Sequence, residues 1–143
     1  MSVRYFRDLE VWQSAMDLAV AAHGAAGLLP FSERFGLAAQ IKKSAISVPS
    51  NIAEGHAQRS DRAFLHFLRI ALGSLAELDT QLEIAVRLKY VEEAAAQTLQ
   101  SQIAQTGRLL HGLRRALWVS AARTVVRGLV LIVCVAGTLW IIR

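Results

Sequence analysis

The sequence predicts an all-α fold: an antiparallel up-and-down four-helix bundle followed by an additional C-terminal apolar helix. Three observations point there. Apolar residues fill 54% of the 143 positions, against only 2 Pro and 9 Gly, which argues against both disorder and a strand-and-turn protein. Four segments carry apolar residues alternately three and four positions apart, the spacing that aligns one seam along a helix. The connections between these segments are short, as consecutive antiparallel helices require. Residues 1–118 are long enough to bury a core as a single domain, and residues 119–143 form an apolar tail.

The first seam is Leu9, Trp12, Met16, Ala19, His23 and Ala26, closed by "LLPF", where Pro30 marks the exit. The second starts near "SERFGL" with Ser32 as N-cap and continues through Leu37, Ile41, Ala45, Val48 and Ile52. Pro49 interrupts it. A proline removes one backbone donor and crowds the carbonyl of Ala45, a defect of roughly 3 kcal/mol in a helix interior. The apolar series nevertheless keeps register from Val48 to Ile52, and a new helix begun at Asn51 would have about one turn before Gly55, too short to repay nucleation. The segment therefore reads as one kinked helix over roughly 34–55, stopped by Gly55, with Ser47, Ser50 and Asn51 serving backbone groups that Pro49 frees.

The third seam, Phe64, Leu68, Ala71, Leu75, Leu78, Leu82 and Ala85, alternates without a fault. Ser60 is its expected N-cap, and Asp61 suits the positive end of the helix dipole. Gly73 lies mid-helix, where it costs up to ~1 kcal/mol relative to Ala, and close approach of another helix would explain it. The fourth seam is Ala96, Leu99, Ile103, Thr106, Leu110, Leu113 and Leu117, opening with Glu92 and Glu93.

Charge and chemistry narrow the function. The net charge is +5, but all 11 acids precede residue 119, so residues 1–118 carry 13 basic residues and a net of +2. The single cysteine, Cys134, permits neither an intrachain disulfide nor a cysteine-based metal site. His23, His56, His66 and His111 are scattered without ligand spacing, so no metal and no cofactor is expected. Glu77, Asp79 and Glu83 read as a solvated face. No constellation of nucleophile and base is present, and the protein is expected not to be an enzyme.

Two patterns on the third helix suggest binding. Leu65, Phe67 and Ile70 exceed what one core seam needs, so they are expected to form a subunit interface. Arg62, His66 and Arg69 recur four and three apart as a basic strip, with Arg59 just upstream and Lys42 and Lys43 on the second helix. Lys42, Lys43, Arg59, Arg62 and Arg69 are the candidate phosphate-binding set for RNA or DNA.

The tail "RGLVLIVCVAGTLWIIR" contains 15 uncharged residues from Gly128 to Ile142, about 22 Å of helix at ~1.5 Å per residue. Lengthened across residues 125–142 by a snorkelling Arg127, it reads as a membrane anchor. The arginines before it place the bundle on the cytoplasmic side, and the start "MSVRYFRDLEVWQ" contains no secretory signal.

Three blocks carry a family resemblance: "FRDLEVWQSAMDLA", "ERFGLAAQIKKSAISVPSNIAEG" and "FLHFLRIALGSLAELDTQLEIA". Together they resemble, over about residues 6–117, the four-helix-bundle proteins of the ribosomal RNA intervening-sequence family. More distantly they resemble the accessory variability protein of diversity-generating retroelements. The resemblance implies a non-catalytic bundle that assembles as a ring, a homopentamer. The expected function is therefore a self-assembling scaffold or accessory factor that contacts nucleic acid through a repeated basic strip. The alternative is a membrane-tethered interaction module with no nucleic-acid role.

Overall fold

A computed structural model describes the backbone of residues 5–141 and the side chains of residues 5–120 and of Ala122. The described residues form four α-helices and no strand: α1 Glu10–Gly27, α2 Leu37–Ala57, α3 Asp61–Arg87 and α4 Glu93–Ile141. Each helix packs on its neighbours in sequence, and α1 also packs on α4. Neither diagonal pair makes a close backbone approach among the described residues. With short connections, this is the contact pattern of an up-and-down bundle with its helices at the corners of a square.

The seams of α2, α3 and α4 are the ones the spacing predicts. Ile41, Ala45, Val48 and Ile52 are buried on α2, all seven predicted positions are buried on α3, and Ala96, Leu99, Ile103, Thr106 and Leu110 are buried on α4. Leu113 and Leu117 pack against the core's end. Each completely buried leucine or isoleucine contributes about 1.5–3 kcal/mol relative to its exposed state. The α1 seam is turned away from the expected one. It buries Val11, Ala15, Leu18, Ala19, Ala22 and Ala26, while Met16 is 38% exposed and His23 lies outside the core. Small alanines let α1 come close to its neighbours, and this displaces the bulkier Met16 to a rim.

Helix ends and breaks also differ from expectation. Ser32 lies in a short 3-10 turn and does not cap α2. Glu33 does so instead, its Oε2 accepting from the Leu37 N–H at 3.0 Å. A carboxylate there also suits the helix dipole. Ser60 caps α3 as expected, accepting from the Ala63 N–H. Helix α2 runs through Pro49 to Ala57, so Gly55 is no stop signal. Ser50 Oγ donates to the Ile46 carbonyl at 2.9 Å, and Asn51 Nδ2 donates to the Ser47 carbonyl at 2.8 Å. Both bonds serve carbonyls just beyond that of Ala45, the one Pro49 leaves without its helical donor.

Hydroxyl pairs tie the helices together. Ser14 Oγ and Thr106 Oγ1 lie 2.8 Å apart between α1 and α4, as do Ser47 Oγ and Ser74 Oγ between α2 and α3. Ser44 Oγ donates to Gln81 Oε1 at 2.7 Å. These pairs allow polar residues in the seams, because a buried hydroxyl is costly only when unpaired.

No separate fifth helix follows α4, which is itself a single helix of 49 residues. Among the described residues no helix is long and apolar enough to cross a membrane. The anchor expected at residues 125–142 lies outside the residues whose side chains are described.

Candidate nucleic-acid interface

On α3, Arg62, His66 and Arg69 lie on one helical face. On α4, Arg108, His111, Arg115 and Trp118 recur three, four and three apart, which again defines one face. Because α3 packs on α4, the two stripes line a common groove of about 1400 Å³, to which Arg114, Leu65, Phe67, Gly112 and Val119 also contribute.

The lining holds five arginines and two histidines, and no carboxylate. Arg62, Arg69, Arg108 and Arg115 are exposed and Arg114 is half-buried. Among the described residues none of the five has an ion-pair partner; Arg87 Nε does pair with Glu83 Oε1, at 2.7 Å, but at the opposite end of α3. Two carboxylates, Glu10 and Asp17, line a separate polar groove between α1 and α4 beside Gln102 and Gln105. A domain of small net charge thus presents, in the groove between α3 and α4, a cationic surface. Guanidinium groups suit phosphate because their planar fork donates two hydrogen bonds at once.

Aromatic surface accompanies the charge. Trp118 is 69% exposed and has no ring partner among the described residues. His66 meets Phe67 edge-on, with ring centroids 5.7 Å apart.

The residues singled out from the sequence are distributed as follows. Arg62 and Arg69 line the groove. Arg59 is exposed in the turn before α3, next to the groove residue Ser60, with a left-handed φ of 50°. Half-buried Lys42 and exposed Lys43 lie on α2, which contributes nothing to the groove. Leu65 and Phe67 are half-buried in the groove, whereas Ile70 is 40% exposed outside it. These three do not form one exposed apolar patch, because Phe67 packs against Gly55 of α2. Sequence reasoning misses the α4 half of the site. Its signal is present in "RLLHGLRRALW", where the apolar seam Leu110, Leu113 and Leu117 draws attention from the basic stripe interleaved with it.

Glu77 and Asp79 are exposed and Glu83 is held by Arg87. A second, apolar groove of about 550 Å³ between α1 and α2 is lined by Met16, Val20, His23, Ile46 and Pro49.

The family model of the 23S rRNA-intervening sequence protein matches residues 7–112. Among solved structures, the chain is similar to a protein of unknown function from the S23 ribosomal protein family of Bacteroides thetaiotaomicron. The two share a TM-score of 0.69 and 24% identity, over 73% of this chain and 95% of that one. At this identity the likeness shows the fold alone. No curated protein matches the chain.

Proposed function

The chain belongs to the 23S rRNA-intervening sequence protein family, and from that premise we propose that it is a non-enzymatic bundle that binds nucleic acid in the groove between α3 and α4. The observation that carries this reading is the pairing of two stripes, Arg62, His66 and Arg69 with Arg108, His111 and Arg115, in a groove without a carboxylate. A polyanion relieves the mutual repulsion of such a cluster and releases its own condensed counterions, so affinity comes from phosphates and is largely independent of sequence. Self-association belongs to the same reading. A homopentameric ring would repeat the groove, and simultaneous engagement of several copies multiplies a weak affinity without new contacts. The test is binding of labelled RNA and DNA by the full chain and by Arg62→Ala/Arg69→Ala and Arg108→Ala/Arg115→Ala. Loss in both variants supports the groove, and undiminished binding refutes it.

A membrane-tethered module is the second reading, favoured by the length of α4. Its 24 residues from Trp118 to Ile141 extend about 36 Å past Leu117, the last described side chain that packs on the core, at ~1.5 Å per residue. Fractionation decides it: a full chain that stays out of the membrane fraction without detergent, and is unchanged by deletion of residues 119–143, has no anchor.

A further inference from the structure

The groove's shape and lining go beyond phosphate attraction. Phosphates need only the arginines, yet Trp118 presents most of its indole to solvent at the end of the α4 stripe, and apolar Leu65 and Val119 line the same groove. An exposed tryptophan among arginines is not explained by the core, of which Leu117 is the last member on α4 among the described side chains. Duplex nucleic acid offers such surface nothing, since its bases are stacked inside and phosphates face outward. A single strand offers unpaired bases on one side and phosphates on the other. Base stacking on an aromatic face together with a basic track along the backbone is the general physics of single-strand binding.

Resting on the nucleic-acid reading above, we propose that the groove is specific for single-stranded nucleic acid, with one unpaired base stacked on Trp118 and the adjoining phosphates held by Arg115, Arg62, Arg108 and Arg69. The dimensions agree. Arg108 and Trp118 are ten residues apart on one face, about 15 Å along the helix at ~1.5 Å per residue, or about four nucleotides at the ~3.4 Å spacing of a stacked strand. The α4 stripe orders these contacts, with charge first and the aromatic ring last. A strand that tracks the arginines reaches the indole at one end only.

The test compares the full chain with Trp118→Ala, Trp118→Leu and Trp118→Phe. The probes are a fluorescein-labelled oligouridine of about 12 nucleotides, within the ~4–16 typical of single-strand sites, and an RNA duplex of the same length. Trp118 lies outside the buried core, so its removal leaves the bundle intact. The Ala and Leu variants should each lose about tenfold in affinity for the single strand, corresponding to ~1.4 kcal/mol, whereas Phe retains most of the affinity because it keeps a π face. Duplex affinity should not change in any variant. Equal losses on both probes, full binding by the Leu variant, or displacement of the strand by phosphatidylglycerol vesicles would each overturn the proposal. Binding that needs Arg62 and Arg69 but ignores Trp118 overturns single-strand specificity alone. No binding of either probe at low salt overturns the nucleic-acid reading with it.

Discussion

Gly55 of α2 and Phe67 of α3 stand so close that a Cβ built on the glycine would lie 2.6 Å from the phenylalanine Cβ, and 2.8 Å from Cδ2 of Phe64. Glycine here is a packing requirement: it lets α2 meet the start of α3, the segment that carries Arg62, His66 and Arg69. Gly55→Ala must push the helices apart, a small-to-large change that costs about 1–3 kcal/mol. Thermal or urea unfolding measures this, and a variant as stable as the parent would show that the helices separate freely.

Gly73 is the opposite case. It is exposed mid-helix, and a Cβ there meets nothing within 4 Å, contrary to the close approach expected from its position. In the isolated chain Gly73→Ala should therefore stabilise α3 by about 0.5–1 kcal/mol. If copies of the chain pack on this face, the same substitution should instead weaken assembly, which light scattering at micromolar concentration would register as a fall in mass. A uniformly monomeric parent removes the ring from the account.

The hydroxyl pair between α1 and α4 has a distinct signature. Thr106 is completely buried and bonds Ser14. Ser14→Ala leaves the buried Thr106 hydroxyl without its partner and should cost about 1 kcal/mol or more. Thr106→Val leaves only the half-buried Ser14, which lines an open polar groove, and should cost less. The double variant should cost less than the sum of the two. Simple additivity in a double-mutant cycle would show that the pair contributes no coupling.

Much of the architecture is legible in the residues themselves, because wherever a seam consists of large aliphatic side chains, as on α3 from Phe64 to Leu82, the period leaves one solution. On α1 the seam is mostly alanine, and hydrophobicity alone favours Trp12 and Met16 over Ala15 and Ala22. The structure buries both alanines, keeps Trp12 half-buried against the core and turns Met16 to the rim, since small residues permit the closest helix contact. Capping by Glu33 is local, four residues from Leu37, but Ser32 beside it is the more usual N-cap residue type and draws the choice. The fit of Gly55 depends on Phe64 and Phe67 across the turn between two helices, which no periodicity reveals. The site was half legible for a similar reason. Arg62 and Arg69 stand out on α3, but Arg108, Arg115 and Trp118 gain significance only once α4 lies beside them, while Lys42 and Lys43 matched in type and were carried elsewhere by α2.

The decisive measurement is the salt dependence of nucleic-acid binding by the full chain and by variants of the groove. If Arg62, Arg69, Arg108 and Arg115 neutralise phosphates, log K against log salt is steep, and each Arg→Ala change lowers the slope by about 0.7 for a single strand or about 0.9 for a duplex. Lys42→Ala/Lys43→Ala, on a helix outside the groove, should leave the slope unchanged. A slope that is flat from the outset, or one that falls with the lysines and ignores the four arginines, contradicts the assignment of the groove as the binding site.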